Sequence, residues 1–262
     1  MPLRIVVCIK QVPDTTEVRM DPVKGTLIRE GVQSIVNPFD TYAVEEGVRL
    51  KEKHGGTCTV VTMGPPQAEA ALRDCISVGA DEAYLVSDRA FAGSDTWATS
   101  LTLAAAVRKI GFDLIICGKQ AIDGDTAQVG PGMAVHLDLP QATYGRKIRE
   151  VKDGSLVIER LLEEGVETME MPLPGLITVV KEINEPRLPS LKGKMRAKKY
   201  EVRKLTAADL DLQPDKLGLD GSPTRVMKIF APPPRAGGEV FQGEAAECAD
   251  KLVAVLSKNG VV

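Results

Sequence analysis

The sequence lacks the patterns that mark several common classes of protein. No apolar run approaches the about 18 residues that a membrane-spanning helix needs, and the start, MPLRIVVCIK, has no cleavage-site pattern. Asp and Glu (36) slightly outnumber Lys and Arg (33), so the formal net charge of -3 gives no global reason to expect nucleic-acid binding. We therefore expect a soluble, cytoplasmic protein with no nucleic acid and no direct membrane insertion.

Patterns for metal binding and for standard nucleotide loops are missing as well. Neither G-x-G-x-x-G nor G-x-x-x-x-G-K-[ST] occurs, no C-x-x-C pair exists, and the two histidines stand alone. We predict that the chain binds no metal, that both histidines have structural roles, and that the thiols are reduced and buried. Three cysteines lie in strand-like runs and two in helix-like segments: Cys8, Cys58 and Cys117, then Cys75 and Cys248.

What is present is an alternation of continuous apolar runs with helix-like segments that end near a glycine. Runs of this kind suit strands that are buried on both faces. Strand, helix, strand in sequence predicts right-handed crossovers, and thus a doubly wound, mostly parallel α/β sheet with helices on both faces. The strand-like runs are residues 3–10, 57–64, 83–87 and 113–118.

The pattern changes after residue 140. A D-G turn at Asp153 predicts an antiparallel hairpin that extends the sheet, and PLPGLITVVKEI predicts one more buried strand. We predict two parts: an α/β nucleotide-binding domain over residues 1–183, and a proline- and lysine-rich arm over residues 184–262 that ends in a helix packed on a partner.

Three helix starts are predicted at the carboxyl ends of strands, where ligands of doubly wound sheets bind. At the first, Asn37 suits the N-cap, Pro38 the first helical position and Asp40 a variant capping box. At the second, Ser94 or Asp95 is the expected cap.

The third start lies in the stretch CGKQAIDGDTAQVGPGM. Asp125, followed three positions later by Gln128, reads as an N-cap with a reciprocal glutamine. Alternatively the helix begins at Gly130 with Pro131 in its first position. Both alternatives leave free N–H groups facing the loop.

The same stretch carries groups suited to a nucleotide. A carboxylate at Asp123 suits a ribose hydroxyl better than a phosphate, and Gly118 and Gly124 permit close approach of the backbone. Lys10 and Lys119 can each place a cation near phosphate. These residues predict a nucleotide site; an ordinary turn rich in capping residues is the alternative.

Five segments, in order, resemble the β subunits of electron transfer flavoproteins over essentially the whole chain. They are VVCIKQVPDT (6–15), NPFDTYAVEEGVRLKE (37–52), GKQAIDGDTAQVGP (118–131), IERLLEEGVETMEMPLPGLIT (158–178) and NEPRLPSLKGKMRAKK (184–199).

The resemblance implies a subunit that binds an adenine nucleotide and forms a heterodimer with an FAD-carrying α subunit. It implies nucleotide contacts from the ends of strands and from two loops: Cys8, Asn37, Pro38, Phe39, Asp40 and Met63, then Gly118, Lys119, Gln120, Ala121, Ile122, Asp123, Gly124, Asp125, Thr126, Ala127, Gln128 and Val129.

The family differs in what the β site holds. Ordinary carriers keep a structural AMP there, whereas electron-bifurcating members bind a second FAD that meets NAD(H). FAGSDTWATS and DGDTAQVGP resemble the second group, since mammalian-type carriers have a third acidic residue and an asparagine in the corresponding loop. The resemblance thus favours FAD, in the β site or shared with the α subunit, with AMP as the alternative in the β site.

The resemblance also implies a docking role for the lysine-rich arm, whose leucine anchors in a pocket of an acyl-CoA dehydrogenase. Lys192 and Gly193 replace a proline-asparagine pair of the mammalian proteins, which leaves the identity of the dehydrogenase open. Glu163 and Glu164 are expected at the α-subunit interface or in support of a loop near the flavin of that subunit. The arm residues expected to bind the dehydrogenase are Leu191, Lys192, Lys194, Arg196, Lys198 and Lys199.

The implied function is half of a heterodimeric redox carrier rather than a self-sufficient catalyst. Electrons would come from an acyl-CoA dehydrogenase or NADH and leave toward a quinone oxidoreductase or another acceptor; with FAD in the β site the chain would belong to an NADH-dependent bifurcating flavoenzyme. The rival interpretation is an adenine-nucleotide-binding regulatory module without a redox role. An exposed leucine among lysines favours the carrier.

Overall fold

A computed structural model describes residues 2–14, 34–227 and 237–262, together with the backbone of the short strands at 19–20 and 27–28. Thr15, the last residue of the first resembling segment, lies outside these ranges. The chain divides into two compact units, Met1–Met227 and Lys228–Val262.

The strands of the first unit are β1 (Leu3–Cys8), β2 (Gln11–Pro13), β3 (Arg19–Met20), β4 (Leu27–Ile28), β5 (Ser34–Val36), β6 (Gly56–Met63), β7 (Glu82–Val86), β8 (Leu114–Gly118), β9 (Gln141–Lys152), β10 (Ser155–Leu162), β11 (Gly165–Pro172), β12 (Gly175–Val179) and β13 (Arg203–Leu205). Nine of them form one sheet in the order β11-β10-β9-β12-β8-β1-β6-β7-β13. In this spatial order, each strand from β9 through β12, β8, β1, β6 and β7 to β13 is parallel to its neighbour. The two pairs that β10 makes, with β9 and with β11, are antiparallel.

The helices are α1 (Pro38–His54), α2 (Glu69–Val78), α3 (Thr96–Ile110), α4 (Val129–Leu137) and α5 (Leu191–Lys199) in the first unit, and α6 (Ala245–Lys258) in the second. Short 3₁₀ helices occupy Pro66–Ala68, Arg89–Phe91, Lys181–Ile183, Ala207–Asp209 and Pro214–Lys216.

Helices cover both faces of the sheet, as predicted. Side chains of α1, α2 and α5 pack with Ile5 and Val7 on one face, whereas side chains of α3 and α4 pack with Val6 and Cys8 on the other. Successive residues of a strand point to opposite faces, so a strand covered on both sides must be apolar throughout. Full burial of each such leucine, isoleucine or valine contributes roughly 1.5–3 kcal/mol, which explains the continuous apolar runs.

The C-terminal half differs in detail from the prediction. The D-G hairpin of β9 and β10 is present, but a second turn at Glu163–Glu164 adds β11 and makes a three-stranded antiparallel extension. Residues of the predicted arm form α5, which packs on α2, and β13, which pairs with the edge strand β7. The predicted terminal helix is confirmed as α6. The two compact units meet after Met227 rather than at residue 183. The functional boundary predicted at residue 183 stays a prediction.

Candidate functional site

A crevice lies where the winding of the sheet reverses. From β1 the chain proceeds to β6 and β7 on one side, then returns to place β8 on the other side of β1. Cys8 and Cys117 are directly paired near the carboxyl ends of these two strands. In open α/β sheets this reversal is the position at which ligands bind.

The floor of the crevice contains sulfur atoms. Cys8 Sγ lies 3.9 Å from Met133 Sδ, and both cysteines pack in the apolar cluster beneath α3 and α4. A hydrogen bond with the Cys8 thiol, together with burial, raises the pKa of Cys117. All five cysteines are free, and four are buried as predicted, Cys248 being partly exposed. Met63 ends β6, the other neighbour of β1.

Asn37 joins the two loops that leave the crevice. Its backbone N–H donates to Lys10 O at 2.8 Å, its Nδ2 donates to Gln120 O at 2.8 Å, and its Oδ1 accepts the Ile122 N–H at 3.1 Å. Asn37 therefore occupies the N-cap position before Pro38, as predicted, but its side chain makes no capping hydrogen bond. The prediction of a capping side chain is wrong because the neighbouring loop, which the local sequence does not reveal, uses both of its polar atoms.

Asp40 is buried at the same junction. Its Oδ2 accepts the Lys10 N–H at 2.7 Å, and the Gly118 N–H also bonds to its carboxylate. A Cβ on Gly118 would lie 2.3 Å from Asp40 Oδ1, so a side chain at 118 would displace the first turn of α1. Burial raises the pKa of Asp40 to about 7, although hydrogen bonds from Lys10, Asn37 and Gly118 oppose the rise. The capping-box role predicted for Asp40 is therefore wrong.

Both acidic side chains of the loop after β8 have partners. Lys10 Nζ lies 2.6 Å and 2.8 Å from the two carboxylate oxygens of Asp123, across the mouth of the crevice. Gln120 Nε2 donates to Asp125 Oδ1 at 2.6 Å. Each carboxylate of this loop thus accepts a hydrogen bond from a neighbouring side chain.

The start of α4 differs from both sequence alternatives. Asp125 is not a cap, since it lies four residues before Val129, the first helical residue, and Gln128 at the N-cap makes no side-chain capping bond. Pro131 occupies the third helical position rather than the first. Asp95, by contrast, caps α3 as predicted, accepting the Ala98 N–H at 3.1 Å.

The backbone just before α4 includes left-handed residues followed by a right-handed one. Asp125 and Ala127 have left-handed φ values of 52° and 53°, and Gln128 follows with φ -104° and ψ -18°. Alternation of left- and right-handed residues turns successive N–H groups toward one concavity. The first N–H groups of a helix, here those of Val129 and Gly130, have no carbonyl one turn earlier and add to the same positive end. These residues fit a phosphate group.

Tyr144 was missed by the sequence analysis. It has a left-handed φ of 58°, rare for a bulky residue, and its N–H donates to Thr178 Oγ1 at 3.1 Å. Lys119 Nζ lies 5.5 Å from the centre of its ring, at the same edge of the sheet. No local pattern predicts this conformation, because it results from a bulge where β9 pairs with β12.

Trp97, in the first turn of α3, makes an edge contact with His136, their ring centres being 4.6 Å apart. No group of three His, Cys, Asp or Glu side chains within the described ranges is placed to hold a metal ion. Among the described helices, none is long and apolar enough to cross a membrane.

The helix α5 and the segment just before it display three apolar side chains to solvent: Leu188, before the helix, is 90% exposed, and Leu191 and Met195 of α5 are 77% and 58% exposed. Lys192, Lys194, Lys198 and Lys199 flank them, and together these residues are called the α5 surface. A groove of about 410 Å³ runs along it, lined by Leu191, Lys192, Met195, Arg196 and Lys199.

Arg196 differs from the lysines, since it donates to Ala80 O and Asp81 O of the main body. Gly193 also faces the main body. A Cβ there would lie 2.0 Å from Ser77 O, so glycine is required for α5 to contact the end of α2.

Comparison with known proteins gives consistent matches. The family model described as the electron transfer flavoprotein domain matches residues 24–210, more than half of the chain. The "Electron transfer flavoprotein subunit beta" of Thermoanaerobacterium thermosaccharolyticum is 53% identical over 261 residues, which covers 99% of this chain and 100% of the relative. The "Caffeyl-CoA reductase-Etf complex subunit CarD" of Acetobacterium woodii is 48% identical, with 99% and 100% covered. "Protein FixA" of Azotobacter vinelandii is 50% identical, with 97% and 93% covered.

Proposed function

Because the chain belongs to the electron transfer flavoprotein family, as a β subunit, we propose that the crevice between β1 and β8 holds the adenylate part of a nucleotide. The observation that supports this proposal is the left- and right-handed backbone of Ala127 and Gln128 at the start of α4, beside the reversal point of the sheet. The regulatory module without a redox role is not favoured by these relatives.

The side chains around the crevice have distinct roles in this proposal. The N–H groups before α4 bind phosphate, and Lys10 and Lys119 add positive charge beside it. Asp123 accepts from a ribose hydroxyl once its ion pair with Lys10 opens. Asp40 holds the loops from behind, since its carboxylate is buried against their backbone.

We favour FAD over AMP as the occupant. The resemblance of FAGSDTWATS and DGDTAQVGP to the electron-bifurcating members of the family supports this choice. When bound, FAD supplies the electron chemistry, and the chain contributes binding, orientation and the exclusion of water.

The proposed partners use different surfaces. The α subunit contacts the turn between β10 and β11, where Leu161, Leu162 and Val166 are exposed beside Glu163 and Glu164. The α5 surface docks an acyl-CoA dehydrogenase, with leucine as anchor and lysines for steering. NADH is the alternative electron source, and a quinone oxidoreductase is the proposed acceptor. A cytoplasmic location stays a prediction.

Counting cofactors tests the proposal. The chain co-expressed with its α partner is expected to give a yellow heterodimer, from which acid extraction and chromatography release two FAD per dimer. One FAD and one AMP would retain the crevice proposal and overturn the choice of FAD. One FAD without any second adenine compound would overturn the crevice proposal itself.

A further inference from the structure

We propose that Arg187 is a positioning residue, which clamps the α5 surface to the helix that also shapes the nucleotide crevice. The inference rests on the proposed docking role of the α5 surface. It concerns a residue that lies outside both the crevice and that surface.

The guanidinium of Arg187 joins two carboxylates of α1. Arg187 Nε donates to Glu45 Oε2 at 2.8 Å, and its Nη1 and Nη2 donate to the two oxygens of Glu52 at 2.6 Å and 2.8 Å. The Arg187 N–H also donates to Glu45 Oε2, at 3.2 Å. The side chain of Glu45 is only 3% exposed, so this contact is screened much less than a surface ion pair.

Neighbouring contacts extend the clamp along α1. Asn184 Nδ2 donates to Tyr42 O at 3.0 Å and to Glu46 Oε2 at 2.9 Å. Arg49 donates to Glu185 O at 2.9 Å and pairs with Glu45. Burial favours a raised pKa for Glu45, but hydrogen bonds from Arg187 and Arg49 outweigh it and lower that pKa.

The clamp ends directly before the α5 surface begins. Arg187 is held on α1, whereas the next residue, Leu188, is 90% exposed. At the far end of α5, Arg73 donates to Ala197 O at 2.8 Å and to Tyr200 O at 2.6 Å. Contacts on both sides thus fix where α5 lies, and an anchor that is already ordered loses less entropy when it binds.

The same helix shapes the crevice at its first turn, through Asn37 and Asp40. Glu45 lies five residues after Asp40, which is about 8 Å along the helix axis. One rigid element therefore links the place where a partner docks to the place where a cofactor is held. In an electron carrier this link sets the distance between the docked partner and the cofactor.

Substitution of Arg187 by lysine, in the co-expressed heterodimer, tests the clamp. Lysine keeps the positive charge and the tryptic site but cannot bond two carboxylates through a planar fork. We expect trypsin to cleave at Lys192–Lys199 at least about tenfold faster, with faster hydrogen exchange over residues 188–200. Adenine nucleotide content and exchange over residues 118–129 are expected to stay unchanged. With an acyl-CoA dehydrogenase as electron donor, KM for the heterodimer should rise while kcat is retained.

Arg203→Lys is the matched control, because Arg203 pairs with Glu82 at 3.0 Å on an exposed edge; it should leave all these readouts unchanged. If Arg187→Lys does not fold, Glu52→Gln, which removes the outer half of the clamp, carries the test with a smaller expected rise in cleavage. Unchanged protection of residues 188–200 in a folded variant would overturn the clamp, and so would an equal loss at residues 118–129. Faster cleavage and exchange over residues 188–200 with an unchanged KM would keep the clamp and overturn the docking role of the α5 surface.

Discussion

Asp40 shows how one buried carboxylate can hold together the chain segments at one edge of a sheet. Its oxygens accept N–H groups from the ends of both strands that form the crevice, and its nearest neighbour, Gly118, has no side chain because none fits. Because burial raises the pKa of Asp40 to about 7, its ionisation is linked to folding.

The Asp40→Asn variant should show this linkage. The pKa rises from 3.8 in the unfolded chain to about 7 in the fold, so the folded state binds more protons between these values. The contribution of Asp40 to stability is therefore present below about pH 4 and decreases as the pH rises toward 7. Compared with Asp40→Asn, wild-type unfolding free energy should fall by about 1.4 kcal/mol per pH unit in this range, on the order of 4 kcal/mol in total. Urea unfolding of both chains at several pH values measures it, and parallel profiles would contradict the linkage.

Asp123 is predicted to act directly on the ligand. Asp123→Ala should lower nucleotide retention after dialysis roughly tenfold, because a lost charge-assisted hydrogen bond is worth about 1.5 kcal/mol. Nucleotide released from the purified heterodimer is measured by chromatography. Asp153→Ala, which changes the acid of the D-G turn far from the crevice, is the control. If Asp123→Ala retains its nucleotide fully, Asp123 contributes to the turn and not to ligand binding.

At the scale of elements, α5 separates its two faces cleanly. Gly193 and Arg196 hold it against the main body, whereas Leu191 and the flanking lysines face solvent. Gly193, which departs from the mammalian pattern, is thus explained by its contact with Ser77 O. The four lysines remain available for long-range attraction to an acidic partner.

Leu191→Ala should weaken docking and leave the cofactors in place. An exposed leucine buried in a partner's pocket contributes about 2 kcal/mol or more, so KM with an acyl-CoA dehydrogenase should rise at least about tenfold. Steady-state electron transfer measures this effect. Val226→Ala, at a side chain that is 79% exposed elsewhere on the chain, is the control. Equal KM values for the two variants would exclude leucine as the anchor.

At the scale of the whole molecule, the division after Met227 separates a self-contained α/β unit from a short C-terminal unit. The helix α6 in that second unit exposes Leu252 and Val253. An amphipathic helix of this size gains most of its stability from packing rather than from helix propensity. We infer that the α subunit supplies the packing surface.

A chain ending at Met227 should therefore fold but pair poorly. It should show an α/β circular dichroism spectrum and unfold cooperatively, because the core clusters formed by the described residues lie before residue 228. Co-purification with a tagged α subunit should fall at least about tenfold. Leu252→Lys in the full-length chain leaves α6 in place and should also reduce pairing with the α subunit. Full pairing of the truncated chain would place the interface elsewhere.

The order of strands and helices and the mostly parallel sheet could be predicted from the sequence, because two-sided burial imposes continuous apolar runs and helix ends favour glycine. Asn37, Asp40 and Asp125 lie at one edge of the sheet, as predicted, but the hydrogen bonds of their side chains differ from the predicted ones. The side chains of Asn37 and Asp40 bond to segments that are distant in sequence. Asp125 has a left-handed backbone conformation that the loop as a whole imposes.

The sequence alone thus determined the class of fold, the family, and the region where a nucleotide is expected, since all three depend on local composition and on ordered motifs. Only the tertiary structure decided that Asp40 faces the strand ends, that Asp123 pairs with Lys10, and that Arg187 ties the α5 surface to α1. Lys10 and Asp123 are 113 positions apart, and Arg187 and Glu45 are 142. Contacts over such separations depend on how the sheet is wound, which no local pattern contains.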